Sequence, residues 1–115
     1  MMPQRGTSAR PSAARMVENV VGCKWSLSVL SALRKGVLRP GALERECTGI
    51  STKVLNQRLS KLVRFGVLER REFEETPPRV EYHFTPFGVR FLAIVDEVEA
   101  LQRELGEAGS AGAGS

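Results

Sequence analysis

Apolar residues recur along this chain with two different periods, and the changes between them divide it into elements. Between Ser51 and Arg64 the positions Leu55, Leu59 and Leu62 fall four and three apart, the spacing of one helix face. Counting roughly 100° per residue from Leu55, the opposite side carries Lys53, Gln57, Ser60 and Arg64, flanked by Asn56 and Lys61. Ser51 is suited to cap the helix, because its hydroxyl can accept from an unpaired backbone N–H of the first turn. Gly66 can take the left-handed conformation that ends it. The pattern predicts a helix of about four turns over residues 51–65, buried on one side and cationic and amide-bearing on the other.

The flanks follow the same logic. Residues 1–10 are polar and contain Gly, Ser and Pro, and read as a disordered tail. A first helix is expected over Pro11 to Val21, with Met16, Val17, Val20 and Val21 on its apolar face. A second runs over Lys24 to Arg34, with Leu27, Leu30 and Leu33 aligned, Val29 beside them and Trp25 as a core anchor. Val37-Leu38-Arg39 is extended, and Pro40 to Cys47 forms a brief helix with Leu43 and Cys47 inward. Thr48-Gly49-Ile50 is a turn that leads directly into the Ser51 helix.

After Gly66 the period changes to two. Val67 to Glu74 alternates, Glu75-Thr76-Pro77-Pro78 turns, and Arg79 to Phe84 alternates again, with Val80, Tyr82 and Phe84 facing one way. Thr85-Pro86 caps and starts a long last helix whose apolar stripe is Phe87, Phe91, Ile94, Val95, Val98, Leu101 and Leu105. That stripe is longer than so small a core needs, so its distal part is expected on a partner, most simply a second copy. The fold expected is mainly α with a small β-hairpin (α+β), a winged helix-turn-helix domain over residues 11–105. Its parts are a recognition helix at about 51–65, a wing at about 67–84, N- and C-terminal dimerisation helices with the latter at about 86–105, and a flexible tail over 106–115.

Charge sharpens the picture. The chain has 115 residues, enough for one domain, and a net charge of +4. From Ser51 to Arg71 the bases Lys53, Arg58, Lys61, Arg64, Arg70 and Arg71 face one acid, Glu69, whereas Pro86 to Glu107 is mostly acidic. Such a local concentration favours an anionic partner, and double-stranded DNA fits it: Arg and Lys suit phosphates, Asn and Gln suit base edges. Ser51, Thr52, Lys53, Asn56 and Gln57 are then candidates for the major groove, Ser60, Lys61 and Arg64 for phosphates, and Arg79 for a contact from the wing. Two other readings are open: a helix face that is simply solvated, and a winged helix that binds an acidic protein rather than a specific DNA site. Arg70, Arg71 and Arg79 could likewise pair across the hairpin with Glu72, Glu74 or Glu81.

No apolar run approaches the roughly 20 residues of a membrane span, and no signal-peptide core opens the chain, so a cytoplasmic protein without membrane contact is expected. Cys23 and Cys47 suit a reducing compartment. With His83 the sole histidine and no Cys/His cluster, neither a metal nor a cofactor is expected. No nucleophile–base pair or phosphate-cradling loop points to an enzyme.

The order Gly22-Cys23-Lys24-Trp25, Arg39 with Leu43, then Gly49-Ile50-Ser51-Thr52-Lys53-Val54-Leu55 resembles the HxlR-type winged helix-turn-helix regulators. Leu59, Leu62, Gly66, Arg70, Pro77-Pro78-Arg79-Val80-Glu81-Tyr82, Thr85 and Gly88 continue the likeness, which spans about residues 12–103. The resemblance implies homodimeric bacterial transcription factors, related to the MarR group, that bind inverted-repeat operators and join through their first and last helices. It leaves room for a small-molecule effector between the dimer helices and the winged domain. Three positions depart from it. Ser12 stands where many members carry a sensing cysteine, Cys23 where a second glycine is usual, and Pro40 where phenylalanine is usual. Cys23 is thus the candidate redox residue, its thiol near Lys24; an inert small residue is the other reading.

Overall fold

The computed structural model describes residues 12–114, with side chains to Gly106; residues 1–11 and 115, and with them the expected tail over 1–10 and Pro11, lie outside the described residues. The elements are α1 (Ala13–Val21), α2 (Lys24–Arg34), α3 (Pro40–Glu46), α4 (Thr52–Arg64), β1 (Leu68–Phe73), β2 (Arg79–Phe84) and α5 (Pro86–Gly114). Among the described residues, five helices and one antiparallel hairpin make the winged helix-turn-helix expected from the pattern.

Leu55, Leu59 and Leu62 of α4 are all buried, against Leu43 of α3, Val29, Leu30 and Leu33 of α2, and Val67 and Leu68 at the start of the wing. On α2 the buried set is Ser26, Val29, Leu30, Ala32 and Leu33, so Leu27 sits at the edge of the core rather than in line with it. Trp25 is partly buried over the helix-turn-helix turn. Gly49 there has φ +97°, a conformation that disfavours any side chain, and a Cβ on it would lie 3.6 Å from the Trp25 ring.

Both expected caps of α4 form. The Ser51 hydroxyl accepts from the Val54 N–H at 3.1 Å, and Gly66 adopts φ +84° just beyond the last turn. The hairpin pairs Leu68 with Phe84 through Phe73 with Arg79. The extended 37–39 segment docks on its edge, where the Tyr82 N–H donates to the Leu38 carbonyl at 2.9 Å.

Thr85 ties wing to last helix. Its hydroxyl donates to the Gly66 carbonyl at 2.5 Å and accepts from the Gly88 N–H at 2.8 Å. The stripe on α5 divides into two faces: Phe91, Leu92 and Val95 are buried, while Phe87, Ile94, Leu101 and Leu105 are 44, 52, 59 and 67% exposed.

The helix also runs further than the pattern implied. In place of a flexible tail from 106, the backbone is helical to Gly114. Extending an existing helix needs no new nucleus, and each glycine costs only about 1 kcal/mol. With Ala108, Ala111 and Ala113 interspersed and no proline after Pro86, nothing in the sequence breaks the helix.

Candidate nucleic-acid interface

The polar face of α4 is fixed by the burial of its leucines. Lys53, Asn56, Gln57, Ser60 and Arg64 are exposed, and together with Arg58 and Lys61 they line one continuous surface. Ser51 and Thr52 are exposed at its N-terminal end. Among the described residues no hydrogen bond engages the side chains of Asn56, Gln57 or Arg64. The amides and guanidinium needed for base-edge and phosphate contacts are therefore presented unspent.

Two of the expected contact residues are held by the protein itself. The Thr52 hydroxyl donates to Glu44 Oε2 of α3 at 2.5 Å. Lys61 Nζ donates to Asn19 Oδ1 of α1 at 3.0 Å, and Asn19 Nδ2 in turn donates to the Arg15 carbonyl at 2.9 Å. Lys61 is thus half-buried and aimed at α1, not free on the outer face; it must exchange Asn19 for any phosphate.

Arg58 belongs to this surface as well; the sequence places it in the basic cluster without giving it a contact. It lies beside the apolar stripe of α4 and is half-buried there. Its Nε is buried without a hydrogen-bond partner among the described residues.

The wing forms a separate surface. Arg79 stacks on the Phe73 ring, with its guanidinium carbon 4.2 Å from the centroid, and pairs with Glu75 at 3.2 Å and Glu81 at 3.3 Å. Arg71 holds Glu69 at 2.9 and 2.5 Å, and Arg70 holds Glu72. Of these three arginines, then, Arg70 and Arg71 pair along their own strand, and Arg79 along its strand and across the turn, not across the hairpin. The exposed pairs of Arg70 and Arg71 contribute at most about 1 kcal/mol each, so a phosphate can displace those carboxylates, whereas the Arg79–Glu81 pair is partly buried and held more firmly. The His83 hydrogen bond, aided by the charges of Arg79 and Arg39, outweighs the opposing desolvation and holds the Glu81 carboxyl below its ordinary value.

Cys23 caps α2 half-buried, and no formed hydrogen bond from its side chain closes the cap. Burial pushes its thiol up. The hydroxyl and N–H of Ser26, the charge of Arg58 and the Trp25 N–H favour the thiolate and outweigh burial, so the net shift is downward. The cation responsible is Arg58 of α4. Lys24, the neighbour in sequence, instead lies over the Trp25 ring, 5.8 Å from the centroid. Cys47 is buried, which raises its thiol, and Glu46 raises it further. Among the described residues no cluster of His, Cys, Asp or Glu could hold a metal ion, and no helix is long and apolar enough to cross a membrane.

A capped basic helix behind a short glycine turn, with a hairpin beside it, defines a winged helix-turn-helix protein of the DNA-binding class. The HxlR-like helix-turn-helix family matches residues 20–109, and the chain belongs to it. The HTH-type transcriptional regulator YtfH of Escherichia coli (strain K12), itself uncharacterized, is 39% identical over 95 residues, covering 79% of this chain and 75% of that protein. A solved structure of the transcriptional regulator YtfH from Salmonella typhimurium is 36% identical with a TM-score of 0.64, covering 81% of this chain and 80% of the other. Diamide-treated YodB from Bacillus subtilis superposes with a TM-score of 0.69 at 25% identity, covering 90 and 94%. The protein is accordingly an HTH-type transcriptional regulator and not an enzyme.

Proposed function

We propose that the chain acts as a homodimeric repressor that binds an inverted-repeat operator, with α4 of each protomer in successive major grooves. The observation that carries this reading is the division of α4: three buried leucines behind, and a front of unspent amides and cations. Ser51, Thr52, Lys53, Asn56 and Gln57 face base edges near the N-terminal half of the helix. Ser60, Arg58 and Arg64 face phosphates, joined by Lys61 once it leaves Asn19 and by Arg79 once it leaves its carboxylates. The outward row Phe87, Ile94, Leu101 and Leu105, spaced seven, seven and four, forms one helix face and supports a second copy as its cover. A dimer seated on an operator that overlaps a promoter excludes polymerase, hence repression. A cleft of about 590 Å³ runs over α2 between α3 and α5, lined by Trp25, Ser28, Ser31, Cys47 and Leu92, and its size suits a small-molecule effector.

Binding titrations against salt separate the two kinds of contact. Gln57→Ala should lose about 1–3 kcal/mol of discrimination at one base pair while leaving non-cognate binding unchanged. Arg64→Ala should weaken all duplexes alike and reduce the salt slope by roughly one. Equal losses on every sequence for both variants would contradict this assignment. Binding confined to acidic proteins would replace it with an interaction module.

A further inference from the structure

We propose that Glu44 is a positioning residue that sets operator specificity through Thr52, selecting a base that offers an amino group in the major groove, adenine or cytosine. The proposal rests on the DNA-binding reading of α4. Thr52 is the first residue of α4 and is exposed at the end of the helix that would lead into the groove. Glu44 approaches it from α3, its backbone anchored by the fully buried Leu43 next to it. The first turn of α4 contains no acidic residue of its own. A carboxylate placed there from α3 is held by the partial positive charge of the helix end as well as by the 2.5 Å hydrogen bond.

The consequence lies in the proton. A carboxylate can only accept, so the hydroxyl between these two groups must donate its single hydrogen to Glu44. What Thr52 then presents outward is lone pairs alone. In the major groove guanine offers only N7 and O6 and thymine only O4, all acceptors, whereas cytosine N4 and adenine N6 offer N–H donors, the latter beside an N7 acceptor. Thr52 with its proton committed is satisfied by the amino groups and opposed by the acceptors. A threonine free to rotate could serve either. Glu44 therefore converts an ambivalent side chain into a one-way reader without touching DNA.

Competition binding of the full chain to duplexes carrying every single-base change in one half-site tests this. The wild type should prefer adenine or cytosine over guanine or thymine by about tenfold at one position. Glu44→Ala should reduce that preference to about twofold or less, with the position read by Gln57 unaffected. Glu44→Gln, whose amide oxygen can accept the same hydrogen bond, should retain most of it. Thr52→Val should abolish the preference, and adding Glu44→Ala to it should change nothing more. The proposal is overturned if Glu44→Ala keeps the preference, if it shifts all positions alike, if Glu44→Gln behaves as Glu44→Ala, or if Thr52→Val still discriminates. A wild type without any base preference would instead refute sequence-specific binding itself.

Discussion

Gly88→Ala should destabilise the protein by about 3 kcal/mol or more, the upper range for overpacking against a fixed neighbour. For a domain of this size that corresponds to a fall in Tm of roughly 12–24 °C. A Cβ at position 88 would lie 2.1 Å from the Val67 carbonyl oxygen, 2.9 Å from its carbon and 3.2 Å from its Cα. All three are backbone atoms, so no rotamer change relieves the clash. Nor is Val67 free to retreat, because its N–H donates to the Leu62 carbonyl at 3.0 Å and its carbonyl accepts from the Thr85 N–H at 3.1 Å. The strain would fall on the joint that sets the wing and α5 against α4. Gly106→Ala is the matched control: nothing lies within 4 Å of the added carbon, and a helix gains up to about 1 kcal/mol from the exchange. A Gly88→Ala protein melting within 2–3 °C of wild type, about 0.5 kcal/mol, would show that this contact yields easily.

If the proposed homodimer joins through this face, Ile94→Glu should leave the protomer folded, make it monomeric, and lower affinity for an inverted repeat by about 10²–10³-fold, the avidity lost when two half-sites are no longer held together. Ile94 is 52% exposed in the protomer and borders an apolar groove between α1 and α5 with Ala13, Ala14, Val17 and Phe87. A carboxylate there costs the isolated chain little, with Arg90 one turn away in the same groove, whereas burying it against a second copy takes it out of water at a cost that such a pair does not readily repay. Sedimentation and circular dichroism, read together, separate the two effects. A variant that stays dimeric with unchanged binding would place the interface elsewhere.

Local features of the fold were readable because each has a short-range cause. The α4 leucines repeat at three and four, Ser51 and Gly66 mark its ends, and the Pro77-Pro78 turn between alternating runs defines the wing. Elements that depend on contacts distant in sequence were not. Lys61 and Asn19 stand 42 residues apart, and nothing in either segment signals that the lysine turns inward. The Thr52–Glu44 bond joins two helices whose relative angle is set by the Gly49 turn and by packing. Arg58 belongs to the basic cluster of the sequence, but its place beside the apolar face on a helical wheel gives no sign that it lines the same surface as Asn56 and Gln57. For the wing arginines the sequence allows pairing across the strands beside a DNA contact from Arg79. Residues two apart on a strand share a face, which is why Arg70 with Glu72 and Arg71 with Glu69 pair along it. The helical continuation past 105 was missed because glycine content was weighed as a helix stop.

Selection of bound duplexes from a random DNA pool, with the full wild-type chain at physiological salt, tests the central claim most directly. The account predicts enrichment of a two-fold-symmetric motif whose half-sites lie about one helical turn apart. Recovery of a pool with no enriched sequence would contradict it.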